Sequence, residues 1–242
     1  RSRGLGDVYK RQPLGVHVTT GAEVGCDPLA WFREGIIANP SCFVLSLPGL
    51  GKSTLIRKMQ MGAVAQKQTP IIAGDIKGEY VGFTQQVGGQ VITIGHGRGH
   101  INPLDVGALG RIIPQLEEAG NVELVQRAKE QVHGRQVTMV QTLISLGRGS
   151  APADYEVMLI SAALRELYDA RDVDWQNPPV LADLIELLED GTEKLRKKAR
   201  ARTDEAWDRR VDNLVLSLNS LLDGQTGQIF SGQTTTPIDV DA

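Results

Sequence analysis

The nine residues Ser46-Leu47-Pro48-Gly49-Leu50-Gly51-Lys52-Ser53-Thr54 restrict this chain more than any other segment. They follow a short apolar run, Phe43-Val44-Leu45, and lead into a stretch from Lys52 to Gln66 with helical character. Strand, glycine-bearing turn and a helix opening on Lys-Ser, in that order, make the setting of a phosphate-binding loop. Polyphosphate oxygens concentrate negative charge, and backbone amides turned inward at a helix N-terminus solvate it without rearranging. On this reading Pro48, Gly49, Leu50, Gly51, Lys52, Ser53 and Thr54 line a site for ATP with Mg2+. Gly49 and Gly51 let the backbone wrap closely, and Lys52 reaches the β and γ phosphates as a catalytic point charge. The Ser53 hydroxyl ligates Mg2+, and Thr54 adds a contact near the α phosphate. The pattern G-x-x-x-x-G-K-[ST] asks for glycine at the first position and finds Ser46. That position makes the turn out of the strand, where a small residue serves. The competing reading is a glycine-rich turn that holds no ligand.

Outward from the loop, short β-rich runs alternate with helical ones as far as Asp105. Ile71-Ile72-Ala73 and Val91-Ile92-Thr93-Ile94 read as further strands, and Glu79 to Val87 as a helix. Such alternation predicts right-handed crossovers and a parallel sheet. From Leu109 to Gly224 the periodicity becomes helical. Val157, Ile160, Leu164, Leu167 and Tyr168 form one stripe; Leu181, Leu184, Ile185 and Leu188 a second; Trp207, Val211, Leu214, Val215, Leu218 and Leu222 a third. Asn177-Pro178-Pro179 starts the second of these helices, Gly191 ends it and Gly224 ends the third. Gln228-Ile229-Phe230 and Pro237-Ile238-Asp239-Val240 return to strand-like composition. The expected layout is therefore 13–107 as the first part of a nucleotide-binding core, 108–225 as a helical insertion, and 226–242 as the core again, cut short in mid-sheet.

Composition fits a globular chain, with 41% hydrophobic and 23% charged residues arguing against disorder. The densest apolar stretch, Val137 to Leu146, is interrupted by Thr138, Gln141 and Thr142 and is too short to span a bilayer. Cys26 and Cys42 make neither a disulfide framework nor a metal quartet, so a reducing compartment is the default. Residues 1–12 need separate treatment, because Asp7-Val8-Tyr9-Lys10-Arg11-Gln12 matches the translation of GAT GTG TAT AAG AGA CAG, a transposase mosaic end used in sequencing. They are expected to be adapter read-through and are set aside from fold reasoning; a basic arm for nucleic acid is the alternative. The formal charge of −3 becomes more negative without them, since four of the twelve are basic and one is acidic. A generally basic nucleic-acid binder is thereby disfavoured.

The order of several motifs resembles the conjugative-transfer ATPases of type IV secretion systems, the VirB/TraC class of RecA-like motors related to FtsK and HerA translocases. The residues that carry the resemblance are Asp27-Pro28, Gly35-Ile36-Ile37-Ala38-Asn39-Pro40, Leu47 to Ser53, Asp75-Ile76-Lys77-Gly78-Glu79-Tyr80, Ile101-Asn102-Pro103-Leu104-Asp105, Leu222-Asp223-Gly224 and Ile229-Phe230-Ser231-Gly232. It implies an α/β RecA-like P-loop core with a parallel sheet and a large all-helical insertion. It also implies an ATP-hydrolysing motor that forms a homo-oligomeric ring, a hexamer, and powers conjugative DNA transfer or secretion. Such a motor sits in the cytoplasm against the membrane, beside channel components, with DNA as a further partner. A nucleotide-binding scaffold of the channel and a DNA-pumping relative are the alternative functions. The family's Walker B aspartate, adjacent glutamate and arginine finger have no counterpart in the sequence, so the chain is expected to be a fragment with doubtful hydrolysis of its own.

Four other constellations carry two readings each. Asp75 and Glu79, at the expected end of the second strand, are candidate catalytic residues that orient Mg2+-bound water or sense the γ phosphate; alternatively Asp75 caps the next helix and Glu79 sits in its first turn. Asn102 to Asp105 makes a rigid turn because of Pro103, or a subunit contact. His96 and His100 lie four apart, but Gly95, Gly97 and Gly99 deny the helix that a zinc site would need, which leaves a mobile polar loop. The run from Lys194 to Arg202 holds six positive charges; it is a solvated helix face, or it meets DNA or acidic lipid. The run itself has no aromatic residue for stacking.

Overall fold

The computed structural model describes residues 13–95, 97–170 and 173–237. Two compact units are present, one running through Val91 and the other beginning at Ile92.

The first unit opens with β1 (Pro13–Val16), paired antiparallel with β2 (Glu23–Gly25), Val16 standing opposite Glu23. Gly21, at φ 65°, lets the connecting turn close, and its amide donates to the His17 carbonyl at 2.9 Å. Three helices follow: α1 (Pro28–Arg33), α2 (Lys52–Ala65) and α3 (Val81–Gln86). Asp27 caps α1 by accepting from the Ala30 amide at 3.0 Å, with Pro28 in the first turn, where its missing N–H costs nothing. Its other oxygen accepts from Gln66 Nε2 at 3.2 Å, which fastens the end of α2 to the start of α1. Among the described residues of this unit Asp27 alone is buried.

This architecture overturns the expected fold class. The described residues are mostly helical, and the strands among them form a single two-stranded antiparallel sheet rather than a parallel RecA-like one. Phe43-Val44-Leu45, Ile71-Ile72-Ala73 and Val91 to Ile94 all lie outside any strand. The reason is lateral: β-propensity is realised only where neighbours pair the backbone and cover both faces. These runs are three or four residues long, Pro40, Pro48 and Pro70 lie close to the first two, and Phe43 and Ile71 each remain 88% exposed. The expected return to the sheet fails likewise. Gln228 to Phe230 ends a helix, with Phe230 drawn against the helical core, and Ile238 to Val240 lie outside the described residues.

The second unit contains α4 (Leu109–Glu118), α5 (Val122–Arg148), α6 (Asp154–Ala170), α7 (Leu181–Asp190), α8 (Glu193–Ala199), α9 (Asp204–Leu222) and α10 (Gly224–Phe230). Polar side chains begin several of them: Asn121, Thr192 and Thr203 each accept from an amide in the first turn of α5, α8 and α9. Left-handed Gly149 and Gly191 end α5 and α7. The core forms where apolar stripes meet: Val140 and Ile144 from α5, Ile160, Leu164 and Leu167 from α6, Leu184 and Leu188 from α7, and Trp207, Leu214 and Leu218 from α9. Each such side chain contributes about 1.5–3 kcal/mol on burial, so this cluster dominates the stability of the unit. A smaller cluster of Val106, Ile113, Ala128 and Val132 seats α4 on the first half of α5. No helix among the described residues is long and apolar enough to cross a membrane.

Candidate phosphate-binding loop

Residues 46–51 form a turn with two left-handed glycines, Gly49 at φ 79° and Gly51 at φ 83°. A side chain at either would strain the backbone, which explains why the sequence spends glycines there. Gly51 stands immediately before α2, and its carbonyl accepts from Leu55. No side chain caps α2 and no acidic residue lies in its first turn. The opening amides at Lys52, Ser53 and Thr54 therefore keep the partial positive charge of a helix N-terminus. Lys52 and Ser53 are half-buried, Pro48 and Thr54 are exposed, and Leu50 is exposed at the crest of the loop.

The turn that carries Asp75 and Glu79 meets this loop. Asp75 accepts from the amides of Glu79 and Tyr80 at 2.9 and 2.8 Å, and Gly78 adopts φ 68° to allow the turn. The turn so formed presents Glu79 to α2, where its Oε2 accepts a hydrogen bond from Ser53 Oγ. Asp75 thus shapes the turn ahead of α3, and Glu79 contacts the loop hydroxyl directly. Lys52 forms no side-chain bond to Asp75 or Glu79 among the described residues. Arg57 was not singled out from the sequence. Its Nε donates to the Ser53 carbonyl at 3.2 Å, and the i, i+4 spacing of the two residues is the signal that could have found it.

Among the described residues, no group of three or more His, Cys, Asp or Glu side chains is placed to hold a metal ion. A magnesium ion in company with phosphate needs less, since it keeps several waters and takes one or two protein oxygens. Ser53 Oγ and the Glu79 carboxylate are oxygen donors of the hard kind that ion prefers.

The remaining constellations lie as follows. Asn102 is buried: its Nδ2 donates to the Pro179 carbonyl at 2.9 Å and to Gln233 Oε1 at 3.0 Å, while its Oδ1 accepts from Leu104 at 2.9 Å. The Asn102 to Asp105 turn is therefore bolted into the helical unit, which accounts for the unit beginning at Ile92 and not at 108. His100 lies beside Thr235, whose Oγ1 accepts from its amide at 2.8 Å; His96 lies outside the described residues. In the basic run, Lys194 pairs with Asp169 and Arg196 with Asp204. Cys26 and Cys42 are both free thiols.

No protein-family model matches the chain, and neither a curated protein nor a solved structure matches it significantly.

Proposed function

We propose that the chain binds ATP with Mg2+ at the loop 48–54 and serves as a subunit of an ATP-driven motor in conjugative transfer or type IV secretion. The observation that carries the nucleotide reading is the uncapped start of α2 behind two left-handed glycines, with Ser53 and Glu79 in contact beside it. The motor reading rests on the order of sequence motifs around that loop. The first amides of α2 receive phosphate oxygens, and Lys52 closes over them. Ser53 and Glu79 supply oxygen to Mg2+, which offsets charge on the phosphates when bound. Asp75 acts on the site indirectly, by fixing the turn that aims Glu79.

The test is calorimetric titration of the whole chain with ATP, with and without magnesium. Binding is expected to require magnesium, to vanish in Lys52→Ala, and to weaken about tenfold in Ser53→Ala, the loss of one charge-assisted contact. Absence of any signal for nucleoside triphosphates in the folded wild-type chain would refute the assignment. Equal affinity in wild type and Lys52→Ala would refute the role given to the lysine.

A further inference from the structure

The positive run that the sequence leaves between two readings acquires, in three dimensions, the aromatic neighbour it lacks. Tyr155, Met158 and Leu159 on α6, Lys198 to Arg200 at the end of α8 and Arg210 on α9 enclose a pocket of about 210 Å3. No acidic side chain lines it. Among the described residues, Lys198, Arg200 and Arg210 have no carboxylate partner, in contrast to Lys194 and Arg196 of the same run. Three cations thus gather around one hollow in a chain of net charge −3. The guanidinium of Arg210 lies 5.1 Å from the centre of the Tyr155 ring, within cation–π range, so cation and aromatic face form one surface.

The backbone adds an independent observation. Arg200 ends α8 at φ 55°, a left-handed position that glycine fills with least strain. A strained non-glycine residue points to a need for its side chain, and this one lines the pocket.

Shape and size narrow the ligand. At about 30 Å3 per water the hollow holds roughly seven waters, less than the ~300 Å3 at which pockets for whole small molecules begin. It accepts one ring together with one anionic group and leaves the rest of a larger ligand outside. Arginine's planar fork suits phosphate oxygens, and the walls of Tyr155 and Met158 suit a flat apolar face. A bilayer is the poorer fit, because insertion needs apolar side chains that project, and here they line a concavity.

We propose that this pocket binds a phosphate ester bearing a flat ring, with the ring against Tyr155 and Met158 and the phosphate held by Lys198, Arg200 and Arg210. The shared chemistry belongs to a free aryl or nucleoside phosphate and to one nucleotide of a single strand. The pocket belongs to the second unit and does not depend on the assignment of the loop at 48–54.

The test uses the whole chain carrying Lys52→Ala, so that binding at the loop does not contribute. Phenyl phosphate is titrated calorimetrically and fluorescein-labelled octathymidylate by anisotropy, at low ionic strength. At least one is expected to bind, with affinity falling about tenfold in Arg200→Gly and in Arg210→Gln and unchanged in Arg111→Gln, an exposed arginine of α4 outside the pocket. Arg200→Gly removes the charge while suiting the backbone, so it keeps the fold. Tighter binding of the octamer, falling steeply with salt, identifies a strand as the source; preference for phenyl phosphate identifies a free ester. Affinity unchanged in both arginine variants, no binding of either probe, or binding solely to phosphatidylglycerol vesicles would each overturn the proposal.

Discussion

Arg148 grips Glu156 with both terminal guanidinium nitrogens, each 2.8 Å from a carboxylate oxygen. The arginine closes α5 and the glutamate lies in the first turn of α6, where it also accepts from the Ala153 amide at 2.7 Å. The same guanidinium donates to Ser217 Oγ and, at 2.7 Å, to the Asn213 carbonyl, both on α9. Three helices are thus joined through four hydrogen bonds from one planar cation.

Removing the carboxylate leaves that cation uncompensated, so Glu156→Ala is expected to cost about 3 kcal/mol. The Arg148 hydrogen bonds, helped by the Ala153 amide, hold the Glu156 carboxyl below its ordinary value against the opposing effect of burial. A depressed folded pKa means that the contribution is fully present above the unfolded value of about 4.3 and is lost as pH falls through the folded value. Urea titrations of both proteins from pH 7 to pH 3 should show their difference shrinking only below that point; a pH-independent difference would contradict the account.

Gly191→Ala is expected to be among the most damaging single-methyl additions. Gly191 holds φ 58°, and a Cβ there would collide with the Trp207 indole, which is fully buried and donates to the Leu188 carbonyl at 3.0 Å. Backbone strain and overpacking together amount to about 2–4 kcal/mol. The midpoint of chemical unfolding measures it, and a loss below about 0.5 kcal/mol, the range of an ordinary surface change, would disprove the clash.

Asn102→Leu keeps the approximate volume but leaves the Leu104 amide and Pro179 carbonyl without their partners. The expected cost is about 2–4 kcal/mol. Hydrogen exchange should also accelerate at Leu104, and exchange there at the wild-type rate would rule out the bond.

Tyr168 should resist ionisation beyond the ordinary phenol range. Burial, aided by the carboxylates of Asp105 and Asp174, pushes its phenol up to about 12. A raised folded value implies stability fully present below the unfolded pKa of about 10 and lost as pH rises through 12. Ultraviolet phenolate titration gives the pKa, and Tyr168→Phe should flatten the alkaline decline in stability; ionisation near 10 would refute the burial argument.

The helical unit was legible because its signal is redundant. Ile160, Leu164 and Leu167 repeat one face of a helix, Leu181 to Leu188 another, and all of these side chains that the stripes marked between Leu181 and Leu188 are buried. Leu222 was placed on the third stripe, yet Leu221 is the more deeply buried, since the face drifts over five turns. Phe43 to Leu45 and Ile71 to Ala73 misled because an apolar triplet records a preference and not a partner. In the loop, Gly49, Gly51 and the start of α2 at Lys52 were legible from local chemistry. The Ser53–Glu79 contact and the convergence of Tyr155 with Arg210 were not, because residues 26 and 55 positions apart meet only through tertiary packing.

Thr235 and His100 exchange hydrogen bonds, and Ile101 donates to the Ile229 carbonyl at 2.8 Å. The chain on either side of α4 to α10 is therefore clasped at one spot. A body whose two tethers leave side by side can be spliced into the loop of a host protein without prising it open. Tension on both tethers would load this buckle before it reached the packed core behind it.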